Sequence, residues 1–312
     1  MKTYKNIVIT LFEGHYEFGV GTLLNSLVKS EFEGLFCIGY KGCLPFWINQ
    51  LHLVENESNL YQVSEYIYIR FDELNVDMHF GYYKPYYMKK VYQEYTDANG
   101  YFYFDPDILI LAKWTFFENW LNSGVALCQD ICYDMMHYNH PWRNQWRKDF
   151  KQYDQGTSQF WNYYVNSGAI GVDSKTFKII DSWIMFTETY KKNDLPITYF
   201  NQEDTLSPYK GDQDVLNAVL TLNGDIPISV IGKEAMGFAY PISIMVHAIG
   251  GDEKPWKMNY LKTAIKGKAA IVADNYFFDF YNGRIKLYST FKLNRRKLAL
   301  MTSKLINGFW KK

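Results

Sequence analysis

Apolar runs of strand length alternate with segments of helical periodicity in the first third of the chain. Residues 6–12 form a continuous apolar run that ends at Glu13-Gly14, which predicts a buried parallel strand. In residues 19–29 the apolar positions recur every three or four residues, which predicts an amphipathic helix. The same patterns predict strands over 34–40, 65–70 and 101–104 and a helix over 84–95. This alternation is typical of an α/β fold with helices on both faces of one sheet.

The alternation is interrupted in the middle of the chain. Residues 113–160 are rich in Trp, His and Tyr and mixed in charge, and we interpret them as a loop-and-helix insertion across the carboxyl edge of the sheet. Regular structure is then predicted over 164–172, 174–190, 212–222 and 226–231. The segment after about residue 260 is too short for a core of its own, so we predict one domain over 1–260 and a C-terminal extension over 261–312.

The composition shows a high aromatic content and no excess of positive charge. Aromatic residues make up 19% of the chain, with 27 Tyr and 22 Phe. This fits either codon usage in an AT-rich genome or a cleft lined with rings, which pack well on the apolar faces of sugars and bases. The formal net charge is zero, so no attraction to nucleic acid is predicted.

The cysteines and the absence of a long apolar run indicate the compartment. The four cysteines show neither zinc-site spacing nor a nearby histidine partner, so free thiols in a reducing compartment are the simpler interpretation. No stretch approaches the roughly 20 apolar residues of a membrane span, and the first apolar run is too short for a signal peptide. We therefore predict a cytoplasmic protein.

The C-terminal segment differs in charge from the rest. Residues 284–312 carry nine basic and no acidic side chains, which leaves the remainder with a net charge of −9. Leu298, Met301, Leu305 and Phe309 recur at helical spacing, which predicts an amphipathic helix. Two interpretations stay open: the helix docks the protein peripherally on the anionic inner face of the cell membrane, or it packs on its own domain with a solvated basic face.

Two aspartates, Asp105 and Asp107, end the apolar strand predicted at 101–104. Unpaired buried charge is costly, so such an ending calls for a compensating partner. Their spacing across Pro106 lets both carboxylates aim at one point beyond the carboxyl edge of the sheet, where open α/β sheets bind ligands. Oxygen ligands suit Mg²⁺ or Mn²⁺, which bridge diphosphate oxygens. The alternative is a turn with two solvated aspartates.

The surrounding segment YFYFDPDILI resembles the D-x-D signature of GT-A glycosyltransferases. Further segments, in the expected order, resemble glycosyltransferase family 8, the group that contains glycogenin and bacterial lipopolysaccharide galactosyl- and glucosyltransferases. They are GHYEFGVGTLLNSL (14–27), VNSGAIGVDSKTF (165–177), KGDQDVLNAVL (210–220) and HAIGGDEKPW (247–256). The resemblance covers residues 5–260 and implies a GT-A fold, a single Rossmann-like mixed sheet flanked by helices, with 113–160 serving acceptor choice.

The resemblance also implies a metal site. Asp105, Asp107 and His247 would hold the ion, and an imidazole among oxygen ligands shifts the preference from Mg²⁺ towards Mn²⁺. Lys254 would contact the donor phosphates, and Gly250 would let the backbone approach them. Six residues separate His247 from Lys254, where the family pattern has five, so the loop is expected to bulge. A solvated surface lysine is the alternative for Lys254.

The donor sugar would meet the D-Q-D and N-S-G segments. The resemblance places Gln213 near the reacting carbon and Asp212 on sugar hydroxyls, although Asp212 is also suited to cap the helix that begins there. Asp214 is an alternative to Asp212. Asn166 offers both a donor and an acceptor for sugar hydroxyls.

The nucleotide would lie near the first strand. We expect Tyr16 and Phe12 to sandwich the uracil ring, and Lys84 to reach the nucleotide. A solvated lysine in the first turn of a helix is the alternative for Lys84.

Together these features predict a retaining, metal-dependent hexosyltransferase. It would move a hexose from a UDP-sugar to a hydroxyl of a glycan or lipid-linked acceptor in bacterial surface polysaccharide biosynthesis. An inverting GT-A transferase is the first alternative, with Asp130, Asp134 or Asp149 as the base. A non-catalytic protein that binds carbohydrate or a nucleotide sugar is the second.

Overall fold

A mixed sheet with helices on both faces forms the body of the protein. The computed structural model describes residues 3–133, 135–154, 161–193, 196–200, 206–249 and 253–310. Its strands are β1 (Asn6–Glu13), β2 (Gly34–Lys41), β3 (His52–Leu53), β4 (Leu60–Gln62), β5 (Ile67–Glu73), β6 (Gly100–Phe104), β7 (Ile108–Ile110), β8 (Val125–Gln129), β9 (Val165–Val172), β10 (Ile228–Ile231) and β11 (Met245–His247). Its helices are α1 (Glu17–Lys29), α2 (Phe80–Glu94), α3 (Trp114–Leu121), α4 (Pro141–Asp149), α5 (Lys178–Lys192), α6 (Asp212–Leu222), α7 (Tyr260–Ile265), α8 (Val272–Phe278) and α9 (Thr290–Trp310).

The main sheet has the strand order β10-β8-β9-β6-β1-β2-β5-β4-β3. Strands β6, β1, β2 and β5 are parallel neighbours, and β8 and β10 form a second parallel pair. Between these two groups β9 runs antiparallel to both β6 and β8. The predicted α/β class and the large mixed sheet flanked by helices are therefore confirmed.

Successive residues of the central strands face two separate cores, as the pleat requires. In β1, Ile7 and Ile9 pack into the core beneath α2, α5 and α6, while Val8 packs into the core beneath α1. Because both faces are covered, β1 reads as a continuous apolar run rather than as an alternating one. Its last residue, Glu13, is exposed where the strand leaves the sheet.

A two-stranded ribbon lies beyond the carboxyl end of β6. Strand β7 follows directly after Asp105-Pro106-Asp107, which we call the D-P-D turn, and pairs antiparallel with β11. In this register His247 lies opposite Ile108. The pairing therefore brings a histidine from the last part of the chain next to both aspartates.

The predicted insertion over 113–160 is wrong for its first part. Residues 114–121 form α3, and β8 lies inside the main sheet between β9 and β10. The short connection at Asn122–Gly124 lies between aromatic helix residues and an apolar strand, and the high aromatic content concealed this boundary. Only the later segment, with α4, has the loop-and-helix character that we expected.

The C-terminal extension shares the core of the domain instead of forming an appendage. Tyr281, Ile285 and Leu287 are buried in the same cluster as the apolar face of α1. Asn25 of α1 donates hydrogen bonds to the carbonyl oxygens of Phe280 (2.8 Å) and Ile285 (3.0 Å). The predicted boundary at residue 260 is therefore not a structural boundary.

The basic tail forms the predicted helix, α9, which packs on the domain through one face. Leu300 and Ser303 are buried, and Arg296 donates to the carbonyl oxygen of Pro255 at 2.7 Å. The side chain of Phe309 lies outside the described residues. Among the helices that the structure describes, none is long and apolar enough to span a membrane.

Candidate active site

A cavity of about 740 Å³ opens at the carboxyl ends of β1 and β6. It lies at the edge where open α/β sheets bind ligands, as the position of the two aspartates predicted. Its lining includes every predicted site residue that the structure describes: Phe12, Tyr16, Lys84, Asp105, Asp107, Asn166, Asp212, Gln213, His247 and Lys254. Gly250 lies outside the described residues. These side chains therefore lie around one cavity, and their membership of an active site and their roles remain predictions.

The two aspartates and the histidine form a compact cluster, the Asp-Asp-His cluster (Asp105, Asp107 and His247). One oxygen of each carboxylate and one ring nitrogen of His247 lie within 4.8 Å of one another. His247 Nε2 is 3.2 Å from Asp107 Oδ1 and 4.0 Å from Asp105 Oδ2. Two carboxylate oxygens and an imidazole that converge in this way fit a divalent cation such as Mn²⁺ or Mg²⁺.

Two glycines lie in close contact with the Asp-Asp-His cluster and the D-P-D turn, where a side chain would not fit. A Cβ on Gly168 of β9 would lie 2.8 Å from Asp105 Oδ2 and 2.8 Å from His247 Cε1. A Cβ on Gly19 of α1 would lie 2.2 Å from the carbonyl oxygen of Pro106. Both glycines therefore allow neighbouring elements to close on the D-P-D turn, and any larger residue would push it aside.

Lys84 lies inside the site and is not the solvated lysine that was the alternative. The residue is only 5% exposed, and its ammonium lies 3.1 Å from Asp105 Oδ1 and 3.1 Å from Asp212 Oδ2. It also donates to the carbonyl oxygen of Ser167 at 3.2 Å. Helix α2 begins at Phe80, earlier than predicted, and this places Lys84 within the helix and pointing into the cavity.

Lys254 occupies the other side of the cluster. Its ammonium lies 2.5 Å from Asp107 Oδ2 and donates to the carbonyl oxygen of Ala248 at 2.9 Å. The solvated alternative for Lys254 is therefore also wrong. The longer spacing after His247 does not prevent this lysine from reaching the D-P-D turn.

The charges around the turn shift the pKa values of its members. Burial alone would raise the pKa of Asp107, but His247 and Lys254 hold it below its usual range. Burial would lower the pKa of Lys84, but Asp105 and Asp212 hold it above its usual range. Tyr103 donates to Asp105 Oδ1 at 3.0 Å, and burial followed by this carboxylate raises its pKa. These neighbours therefore favour the charged forms of Asp107 and Lys84, although both side chains are buried.

The two aspartates in the first turn of α6, Asp212 and Asp214, have different partners. Asp214 Oδ2 accepts from the backbone N–H groups of Lys210 (2.6 Å) and Gly211 (3.2 Å), and its Oδ1 accepts from Tyr164 at 2.6 Å. Asp214 therefore caps the helix, and Asp212 faces Lys84 in the cavity instead. Gln213 Oε1 accepts from the backbone N–H of Ser167 at 3.2 Å.

The amide of Asn166 is engaged by the protein at both ends. Its nitrogen donates to Asp130 Oδ2 at 2.6 Å, and its oxygen accepts from Gly168 N–H at 2.8 Å. Asn166 thus couples Asp130 to the strand beneath the Asp-Asp-His cluster. Its predicted contact with sugar hydroxyls would have to use the remaining amide hydrogen or lone pair.

The three candidate bases of the inverting alternative differ in position. Asp130 is buried and lines the cavity. Asp149 instead accepts hydrogen bonds from Tyr209 (2.5 Å) and Gln145 (2.7 Å) and does not contribute to the cavity wall. Asp134 lies outside the described residues. Among the described residues, the structure therefore leaves Asp130 for that role.

The two rings expected to bind uracil have different surroundings. Phe12 is 2% exposed and stacks on Tyr40, with 6.1 Å between ring centroids. Tyr16 is less buried and meets Trp256 edge to face at 5.5 Å, near the ammonium of Lys254. Tyr16 is thus the better placed of the two to contact a base.

Another part of the cavity wall is formed by residues that the sequence did not indicate as site residues. It contains Tyr133, Trp142 and Lys210, and the Tyr133 and Trp142 rings lie edge to face with their centroids 5.9 Å apart. Tyr133 lies in a loop, Trp142 is the second residue of α4, and Lys210 lies two residues before the start of α6. Their proximity depends on tertiary packing that no local pattern indicates.

Comparisons with known proteins identify the fold. No protein-family model and no curated protein sequence matches the chain. Among solved structures, an active-site glutamine-to-glutamate mutant of LgtC matches 91% of this chain and 98% of its own, with a TM-score of 0.54 and 15% identity. The bifunctional glycosyltransferase WbbM matches 89% of this chain and 52% of its own, with a TM-score of 0.52 and 14% identity.

A further match is the galactosyltransferase LgtC in complex with donor and acceptor sugar analogs, with a TM-score of 0.47 and 14% identity over 81% of this chain and 90% of that one. At these identities the likeness establishes the fold. The chain has the GT-A glycosyltransferase fold, similar to that of LgtC, as the sequence blocks predicted.

Proposed function

We propose that this protein is a retaining, metal-dependent glycosyltransferase that moves a hexose from a UDP-sugar to an acceptor hydroxyl. The observation that carries the proposal is the Asp-Asp-His cluster at the cavity edge of a GT-A fold. The acceptor is a glycan or a lipid-linked sugar of bacterial surface polysaccharide biosynthesis, as the resemblance to glycosyltransferase family 8 implies.

The residues of the cluster would hold the cation and the donor phosphates. Asp105, Asp107 and His247 ligate Mn²⁺ or Mg²⁺, which when bound supplies Lewis-acid stabilisation of the diphosphate leaving group. Lys254 lies 2.5 Å from Asp107 and can turn from this carboxylate to a phosphate oxygen. Tyr16, beside Lys254, stacks on the base.

The donor sugar lies between α6 and β9 in this proposal. Asp212 and Gln213 stand at the start of α6, where the helix presents its first residues to the cavity. Lys84 fixes the Asp212 carboxylate at 3.1 Å, so that this side chain is pre-oriented to accept hydrogen bonds from sugar hydroxyls.

The aspartates near the proposed sugar site already have hydrogen-bond or ion-pair partners within the protein. This supports a retaining mechanism in which no carboxylate acts as a base. Asp130 holds Asn166 and the backbone N–H of Cys132, Asp212 is paired with Lys84, and Asp214 caps α6. A front-face substitution needs none of them, because the acceptor hydroxyl is itself the nucleophile that replaces the phosphate at the anomeric carbon, and the leaving phosphate oxygen takes its proton. The inverting alternative would need Asp130 to leave its partners.

Nucleotide-sugar hydrolysis tests the proposal directly. The full chain is incubated with a panel of UDP-sugars and Mn²⁺, and release of UDP is measured. We expect hydrolysis that depends on the metal and that His247→Ala abolishes, whereas the matched change His52→Ala, at the exposed outer strand β3, leaves it unchanged. Hydrolysis by the His247→Ala protein at the original rate would contradict the assignment, and NMR of the product's anomeric proton distinguishes retention from inversion.

The exposed face of α9 supports a peripheral position on the inner face of the cell membrane. Leu298, Met301 and Leu305 are 64%, 58% and 69% exposed, and at 100° per residue they form one ridge on the side opposite the buried Leu300 and Ser303. Basic side chains flank this ridge on both sides: Arg295, Lys297 and Lys304. Apolar side chains with basic flanks suit an anionic lipid surface.

Sedimentation with lipid vesicles tests this position. Because α9 also covers the core, we prefer Leu298→Ser, Met301→Ser and Leu305→Ser together to deletion of the helix. The wild type should sediment with vesicles that contain phosphatidylglycerol but not with phosphatidylcholine alone, and the triple variant should stay in the supernatant. The control is Leu53→Ser, which changes an exposed leucine on β3, far from α9 in the sequence. Equal sedimentation of the wild type and the triple variant would refute this position.

A further inference from the structure

One of the three lysines that line the cavity forms no ion pair with any carboxylate of the described residues. Lys84 and Lys254 hold ion pairs with aspartates of the D-P-D turn at 3.1 Å and 2.5 Å. Lys210 has no carboxylate oxygen within 4.0 Å of its ammonium in the part of the chain that the structure describes. Its ammonium instead lies 4.8 Å from the centroid of the Trp142 ring. Lys210 is therefore a cation at the cavity wall that lies against an aromatic face, and its charge acts on the Asp214 carboxylate without a direct ion pair.

The position of Lys210 is fixed by the fold. Its backbone N–H donates to Asp214 Oδ2 at 2.6 Å, within the cap of α6. Trp142 lies in the first turn of α4, next to the ring of Tyr133. These three side chains, which we call the aromatic-lysine wall, form one part of the cavity lining.

The aromatic-lysine wall adjoins the proposed donor site through Asp130. One oxygen of Asp130 accepts from Asn166 at 2.6 Å, and the other accepts from the backbone N–H of Cys132 at 2.8 Å. Cys132 in turn precedes Tyr133. A molecule that contacts Tyr133 and Trp142 would thus lie beside Asn166, next to the place of the donor sugar, which is where an acceptor must lie.

The chemistry of the aromatic-lysine wall suits an acidic sugar. Aromatic rings pack on the apolar faces of pyranose rings. A contact between an ammonium and a ring is weaker than a charge-assisted hydrogen bond to a carboxylate or phosphate, so an anion can draw Lys210 away from Trp142. We infer that the acceptor sugar carries an anionic group, a carboxylate or a phosphate, that binds Lys210 while the ring lies against Tyr133 and Trp142. This inference rests on the proposed glycosyltransferase function.

Ligand-observed NMR on the full chain tests the inference. The protein is saturated with Mg²⁺ and UDP, and three probes are titrated: methyl β-glucoside, methyl β-glucuronide and methyl β-glucoside 6-phosphate. At least one anionic probe should bind roughly fivefold more tightly than the neutral one, which is the effect of one partly screened charge pair. The comparison of the two anionic probes shows whether the group is a carboxylate or a phosphate.

Variants assign the preference to the side chains. Lys210→Gln should reduce the difference between charged and neutral probes to less than about twofold, and Lys210→Arg should keep it. Trp142→Ala should weaken all three probes, whereas Lys266→Gln, at an exposed lysine just beyond α7, should change nothing.

Three results would overturn the inference: equal binding of all three probes, no binding of any, or a charge preference that persists in Lys210→Gln. Weaker UDP binding by Lys210→Gln would also overturn it, because the lysine would then serve the donor. UDP-sugar hydrolysis is measured on the same samples. A charge preference without hydrolysis would reject the proposed function and leave an anionic sugar site, while hydrolysis without a preference would reject only the acceptor inference.

Discussion

Replacing Gly168 with alanine tests whether the Asp-Asp-His cluster is a metal site whose geometry the glycine maintains. The added methyl group would lie 2.8 Å from Asp105 Oδ2, from His247 Cε1 and from Asn166 Oδ1. Ordinary contacts begin near 3.4 Å, so two of the predicted metal ligands must move by about 0.6 Å. The backbone of Gly168 does not have a positive φ, so alanine adds no backbone strain.

The size of the expected loss in Mn²⁺ affinity follows from how little metal–ligand distances can vary. Ligand distances vary by only about 0.2 Å around their preferred values, so a displacement of about 0.6 Å exceeds what the site can absorb. We expect the dissociation constant of Mn²⁺ in the presence of UDP to rise at least roughly tenfold. The specificity constant for donor hydrolysis should fall by about 10²-fold, as is usual for misplacements approaching 1 Å.

Mn²⁺ binding is measured by electron paramagnetic resonance of the free ion, and folding by thermal unfolding without metal. The matched control is Gly171→Ala in the same strand, where the methyl group would meet the Phe102 ring at 2.8 Å. That variant should lose stability through overpacking while its folded fraction binds Mn²⁺ normally. Wild-type Mn²⁺ affinity in Gly168→Ala would refute the geometry, and so would equal losses of affinity in both variants.

Two further predictions concern buried charge. Lys84→Met leaves the buried Asp212 and the partly buried Asp105 without their cation and should cost about 3–5 kcal/mol in urea unfolding. Lys89→Met, which removes an exposed ion pair, should cost less than about 1 kcal/mol. Burial raises the pKa of Asp214 from 3.8 to about 6, so its contribution to stability is present at low pH and is lost as the pH rises through about 6. Between pH 7.5 and pH 5 the wild type should gain about 1.4 kcal/mol relative to Asp214→Asn, and urea unfolding in which the two proteins change in parallel would contradict this.

Local patterns were sufficient for the elements that position the aspartates. The apolar run of β1 and the short aromatic run of β6 predicted both strands, because strands buried on two faces need apolar side chains at every position. The helix predicted at 212–222 matches α6 residue for residue. Where a strand is short and follows an aromatic helix, as β8 follows α3, the apolar positions show no distinct period, so the pattern does not separate the strand from the predicted insertion.

The partners of the site residues could not be predicted from local patterns. The sequence placed Lys84 near the nucleotide or in solvent, whereas the structure buries it between Asp105 and Asp212. Tyr103 could have been identified, because it lies two residues before Asp105, which directly follows β6, and side chains at this spacing along an extended chain share a face. Lys210 and Trp142, in contrast, meet through the packing of α4 near α6, which has no sequence signature.

The charges around the D-P-D turn indicate why cation and donor should depend on each other. Asp105, Asp107 and Asp212 stand against Lys84 and Lys254, and a metal-ligating His247 must be neutral, so the cluster carries a net charge of about −1. A diphosphate that approaches this cluster alone would meet the carboxylates with only two lysines to offset them, both already paired. A bound divalent cation would change the net charge of these groups to about +1, and Lys254 could then turn from Asp107 towards the phosphates. On this proposal the two lysines, which pair with the carboxylates in the structure, would reach phosphate oxygens only after a cation had taken over those carboxylates.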